Sequence, residues 1–167
     1  VNILQDTNGN YYSEEGTAIV QKFLDAIKDE DALTFWSLMD QRGQGYFMGM
    51  WFYALGNTDL NAISMLAEDD NFLKDALSTI VGELKANLGE LAENPSIGEI
   101  QFTGDQQALV PVSAGCGPEG AIRTDHVPLV MELASAGNRE EGRFANSTVG
   151  MTCWKIDALK CFRVQKV

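Results

Sequence analysis

Histidine occurs once, at His126, and cysteine three times, at Cys116, Cys153 and Cys161. One imidazole and three scattered thiols cannot close the four-ligand shell of a structural zinc. A Ser-His-Asp arrangement would have to use His126, and no G-x-S-x-G elbow accompanies it. Three is an odd number, so at least one thiol stays outside any internal disulfide. Cys153 and Cys161 on one continuous strand would stand roughly 27 Å apart, beyond disulfide reach.

Basic residues are equally scarce, with 12 Lys/Arg against 24 Asp/Glu and a net charge of −12. The imbalance is local. Residues 1–99 hold 17 acidic and 5 basic side chains, whereas residues 100–167 hold 7 of each. A surface of this sign repels phosphate backbones and anionic bilayers, which argues against nucleic-acid and anionic-membrane partners. Long apolar runs are missing too. The longest, Tyr46 to Leu55, falls well short of the ~20 residues that span a bilayer. Its plain reading is buried core, and its functional reading is the lip of an apolar pocket or a partner surface. Nucleotide chemistry has little support. Gly115-Cys116-Gly117-Pro118-Glu119-Gly120 lacks the Lys-Ser/Thr of a phosphate loop and reads as a hairpin connection. Asp6 to Asn10 resembles a calcium loop only in part, with Tyr11 where the loop glycine belongs. No cofactor is expected.

What remains is ordinary globular material. The chain has 167 residues, 45% hydrophobic and 22% charged, which fits one domain. Val1 to Tyr12 reads as an extended lead-in. Ser13 is placed as an N-cap, and Ile19, Phe23, Ala26 and Ile27 follow at helical spacing to about Asp29. Asp31 caps a second, short helix carrying Leu33, Phe35, Trp36 and Met39. Gly43 and Gly45 are expected to interrupt the chain. A long helix is expected from Asp70 to Leu91, its stripe built from Phe72, Leu73, Ala76, Leu77, Ile80, Leu84 and Leu88. After Asn94-Pro95 the apolar spacing drops to two. Ile100 and Phe102, then Ala108 to Ala114, then Val127 to Leu133, then Trp154 to Val164 read as four strands with one apolar face. Gly115 to Gly120 and Ala136 to Gly142 link them. Asn146-Ser147-Thr148 matches a glycosylation sequon that arises often by chance. The fold class is therefore α+β, with N-terminal helices packed on a curved C-terminal antiparallel sheet.

The segments "AIVQKFLDAIKDEDALTFWSLM", "IGEIQFTGDQQALVPVS" and "TCWKIDALKCFRV" carry a resemblance of element order. In that order the chain resembles the NTF2-like superfamily, a cone-shaped, cystatin-like α+β fold, and within it the bacterial secreted and lipoprotein branch. The resemblance implies a single domain over residues 1–167, a sheet curled around a pocket, and an extracytoplasmic location. The start at Val1 fits a cleaved leader or an arbitrary boundary. Such cones host isomerases, dehydratases, ligand carriers and interaction modules, so the fold does not fix the activity.

Alternation along the third strand puts Arg123 and Asp125 on the face of Val127, Leu129 and Met131. The plain reading is a structural ion pair. The functional one makes Asp125 a general base in an apolar cavity, with Arg123 or Tyr53 polarising a substrate. His126 falls on the opposite face. The pocket is expected between Trp36, Trp51 and Phe52 on one side and Leu129, Met131 and Trp154 on the other, held open by Gly43, Gly45 and Gly49. The preferred expectation is a non-catalytic module that binds a small apolar ligand or a protein partner, and the alternative is a small isomerase or dehydratase. A weak homodimer through Thr124, His126, Pro128, Val130, Glu132 and Cys161 on the outer sheet face is also expected. Elemental analysis of chelator-treated protein should find no stoichiometric transition metal, and a retained one would refute the reading of the His and Cys content.

Overall fold

The computed structural model describes residues 3–56, 59–116, 118–133 and 152–163, with side chains from Tyr12 onward apart from Cys116. The expected loop at Ala136 to Gly142, the sequon at Asn146 and the strand end at Val164 lie outside these residues. Among these residues the helices are α1 (Ile3–Lys28), α2 (Ala32–Leu38), α3 (Gln41–Leu55), α4 (Leu60–Leu66), α5 (Asp70–Leu88), α6 (Glu90–Glu93) and α7 (Ala158–Cys161). The strands among them are β1 (Ser96–Ile97), β2 (Gln101–Gly104), β3 (Gln107–Cys116), β4 (Ala121–Leu133) and β5 (Thr152–Ile156). All pairing between these strands is antiparallel, in the order β1-β3-β4-β5, with β2 also on β3. The sheet curls into a half-barrel, and the chain is α+β.

The change of spacing near Pro95 marks the change of structure. Among the described residues every strand follows Pro95, and the two long helices precede it. In α1, Val20, Phe23, Leu24 and Ile27 are buried at the helical spacing of one face. In α5, Leu73, Leu77 and Val81 recur every four residues and are likewise buried. These stripes close over Val110, Val112, Leu129, Trp154 and Ile156 of the sheet to form one core.

One junction ties the halves together. Asp40 and Asp157 are the buried charged residues of the described chain, at 0% and 1% exposure. Asp40 caps α3 by accepting from Gly43 N at 3.2 Å, and the same Oδ1 accepts from Ala158 N at 3.1 Å. Asp157 caps α7 by accepting from Lys160 N at 3.2 Å. Arg42 lies between the two carboxylates, 3.3 Å from Asp40 Oδ2 and 3.5 Å from Asp157 Oδ2. Backbone bonds reinforce the junction, from Asp40 N to Ile156 O at 3.0 Å and from Asp157 N to Pro128 O at 2.9 Å. Met39 thereby adds a parallel bridge to Ile156, the last residue of β5.

Four expectations are corrected. The lead-in is helical from Ile3, so Ser13 lies inside α1, where Thr17 Oγ1 donates to its carbonyl at 3.2 Å. Trp154 Nε1 donates to Tyr12 O at 2.9 Å, a tertiary tie that the turn-like local sequence does not announce. Gly43 and Gly45 do not interrupt the chain. They lie within α3, which Asp40 starts by capping. The long helix stops at Leu88 because Gly89 takes φ +52°, and Glu90 opens the short α6. The last strand ends at Ile156, since Asp157 turns the chain into α7, so the strand-based separation of Cys153 from Cys161 does not apply. Both thiols are free.

Two substitutions test the junction. Asp40→Ala removes a helix cap and a charged partner of two buried N–H groups, and should cost about 3 kcal/mol. Gly43→Ala would put its Cβ 2.4 Å from Ala158 Cβ. Overpacking of that kind costs about 1–3 kcal/mol. Urea unfolding should show both losses as lower midpoints at unchanged slope, with Ala158→Gly restoring part of the second.

Candidate functional site

The inner face of β4 carries Arg123, Asp125, Val127, Leu129 and Met131 in alternation. Val127 and Leu129 are buried, Asp125 and Met131 half-buried, and Arg123 exposed. The first two of these residues do not pair. Arg123 Nη1 donates to Asn87 O at 2.9 Å and to Leu88 O at 3.4 Å, the last carbonyls of α5. There it satisfies orphan acceptors and neutralises the negative helix end. Asp125 Oδ1 accepts from His126 N at 2.8 Å, and no ion pair among the described residues includes it.

Asp125 instead faces a cavity of about 270 Å³. Phe23, Leu24 and Ile27 of α1 form one wall, and Leu84 and Leu88 of α5 with Leu91 of α6 form another. Val112 and Val127 supply the sheet side, and Cys161 and Phe162 close the space from the end of α7. Lys160 and Arg163 stand at its border and are exposed. Cys161 keeps some residue surface, but its thiol is enclosed. Burial pushes that thiol up to about 12, and the carboxylates of Asp125 and Asp157 add to the shift. It is therefore protonated at neutral pH, and the thiolate, the nucleophilic form, is disfavoured.

The expected pocket walls do not come together. Trp36 and Trp51 stack at 5.2 Å between ring centroids, Phe47 sits 6.4 Å from each, and Phe72 meets Trp51 edge-on at 5.2 Å. That region is packed core, and Phe52 adjoins it half-buried without lining the cavity. Met131 and Trp154 border a separate, more open hollow of about 320 Å³ with Phe102 and Tyr12. The reason is α1, which lies on the sheet where the aromatic helices were expected. A Cβ on its Gly16 would stand 3.3 Å from Leu129 Cδ1 and 3.5 Å from Trp154. Tyr53 is 86% exposed on α3 and lines no part of the Asp125 cavity. The proposed triple of Asp125, Arg123 and Tyr53 is thus not assembled around one space. Cys161 and Phe162 escaped sequence reasoning because they were read as strand. The signal that finds them is Asp157, a good N-cap ahead of Ala-Leu-Lys.

The chain matches no family model, no curated protein and no solved structure.

The thiol gives a pH test with a definite sign. Its ordinary value is 9.0 and its folded value about 12, so above pH 9 the unfolded chain releases a proton that the folded one keeps. The contribution to stability is complete below about pH 9 and is lost as pH rises toward 12. The stability advantage of wild type over Cys161→Ala should shrink across pH 9 to 11 in denaturant titrations. An unchanged difference would show that the thiol is not enclosed.

Proposed function

We propose that the chain is an extracytoplasmic, non-catalytic module of the NTF2-like kind that binds a small apolar ligand between α1, α5 and β4. The observation that carries this reading is the 270 Å³ space with apolar walls and a single half-buried carboxylate. Ligand sites have this character, a largely hydrophobic concavity with a few placed polar groups. The order of helices before a curled antiparallel sheet supports the NTF2-like assignment, and the extracytoplasmic location rests on that resemblance. An enzymatic role for Asp125 has less support, because Arg123 is engaged by α5 and the Cys161 thiol is protonated.

A second reading has its own observation. Tyr53, Leu60 and Met65 on α3 and α4 are 86%, 68% and 72% exposed, an apolar surface of the kind used for protein partners. The expected homodimer face is altered. Pro128 is buried, Glu132 accepts from Gln41 N at 2.7 Å, and Cys161 lines the cavity. Ile122, 74% exposed, with Thr124 and His126 remains for a weak contact.

Thermal shift with a series of small alcohols and arenes should raise the melting temperature of wild type. Saturation at a hundred times Kd corresponds to about 2.7 kcal/mol. Leu84→Trp, which fills the space, should abolish the shift while leaving a cooperative transition. Absence of any shift in wild type at millimolar ligand would overturn the proposal.

A further inference from the structure

Five charged or titratable side chains border the cavity: Asp125, His126, Lys160, Arg163 and the enclosed thiol of Cys161. They are not equivalent. His126, Lys160 and Arg163 are exposed, and Lys160 Nζ is already 3.2 Å from Gln107 Oε1 and 3.8 Å from Asp157 Oδ2. A solvated cation at a rim adds little to binding. Asp125 is half-buried among apolar walls, where a charge interacts more strongly with what enters. The cation that strand parity places beside it, Arg123, is held instead by Asn87 O and Leu88 O. An anionic ligand would bring a second negative charge against Asp125 inside that space. A neutral apolar ligand would bring Asp125 no ion pair, and among the described residues it has none.

The charge distribution agrees. Helices α1, α5 and α6, which form the outer walls, belong to the segment 1–99 that carries the whole net −12. A field of that sign raises the local concentration of cations.

We propose that the ligand is a small primary amine with an apolar body, held as its ammonium by Asp125. The alkyl or aryl part lies against Phe23, Ile27, Leu84 and Leu88, and the ammonium donates to the carboxylate. Such an amine is charged at neutral pH, as the lysine side chain is. The inference rests on the ligand-binding reading of the same cavity and adds the chemical class.

Calorimetric titration with hexylamine, 1-hexanol and hexanoate separates the two claims. Wild type should bind hexylamine at least tenfold more tightly than hexanol, and hexanoate most weakly. Asp125→Asn retains an acceptor for His126 N, and should bring amine and alcohol within a factor of two by weakening only the amine. Equal affinities in wild type, or hexanoate as the tightest, would overturn the amine assignment and leave the cavity a ligand site. No binding of any of the three would overturn the ligand-binding reading itself. Because the wild-type comparison stands alone, a poorly folding Asp125→Asn would not rescue a failed assignment.

Discussion

Two buried carboxylates sharing one arginine are the constraint on which the arrangement of this protein depends. A buried charge is tolerable only when its hydrogen-bonding capacity is met, and loss of one partner leaves the others stranded. Asp40 meets that condition by serving α3 and α7 with the same oxygen. Asp157 serves α7 through Oδ1, while its buried Oδ2 makes no hydrogen bond among the described residues and is met only by the charges of Arg42 at 3.5 Å and Lys160 at 3.8 Å. The α2–α3 corner therefore cannot shift without disturbing the β5–α7 corner. Burial of apolar surface supplies most of the driving force for folding, but it is not directional. The junction supplies direction, fixing which helix end meets which strand end.

The cavity follows from this geometry. With α7 held at the end of β5, Cys161 and Phe162 are brought over β4, and Phe162 packs on Phe35 and Phe47 at centroid distances of 6.0 Å and 6.2 Å. The aromatic helices fill one side of the interior and α1 fills another. What is left open is the space beside Asp125, where the α5 stripe ends and Arg123 holds the last turn in place. The half-buried state of Leu84 and Leu88 is a direct consequence.

Much of the fold was legible because periodicity reports which face of an element is buried. The recurrence in α5 found Leu73 and Leu77 but not Val81, and the alternation found Ala108 to Ala114 in β3 and Val127 and Leu129 in β4, whereas Leu133 is exposed. Elements decided by distant contacts were not legible. The start of α1 has turn-forming residues, and a contact from β5 to this region reaches Tyr12 O from Trp154, far along the chain. The strand at Trp154 and the helix at Ala158 share one apolar run, and only the cap at Asp157 divides them. The site was half legible for the same reason. Strand parity put Asp125 on the inner face, but parity along one strand does not say which helix end will claim Arg123.

The contact between Asp40 and Ala158 spans 118 residues, and the bond from Trp154 to Tyr12 spans 142. Helices α1 to α5 leave the ribosome well before β5 and α7. With local contacts alone they can form early, in the microseconds typical of helices. They cannot make the contacts from Ala158 N to Asp40 and from Trp154 to Tyr12 O until those residues are made. Loop closure over such separations is slow relative to local structure. The parts of α1 that pack on β3 and β5, and of α3 that pack on α7, stay uncovered until then, a state in which chains associate wrongly. The −12 charge, set on that same helical half, keeps such chains apart until the sheet arrives.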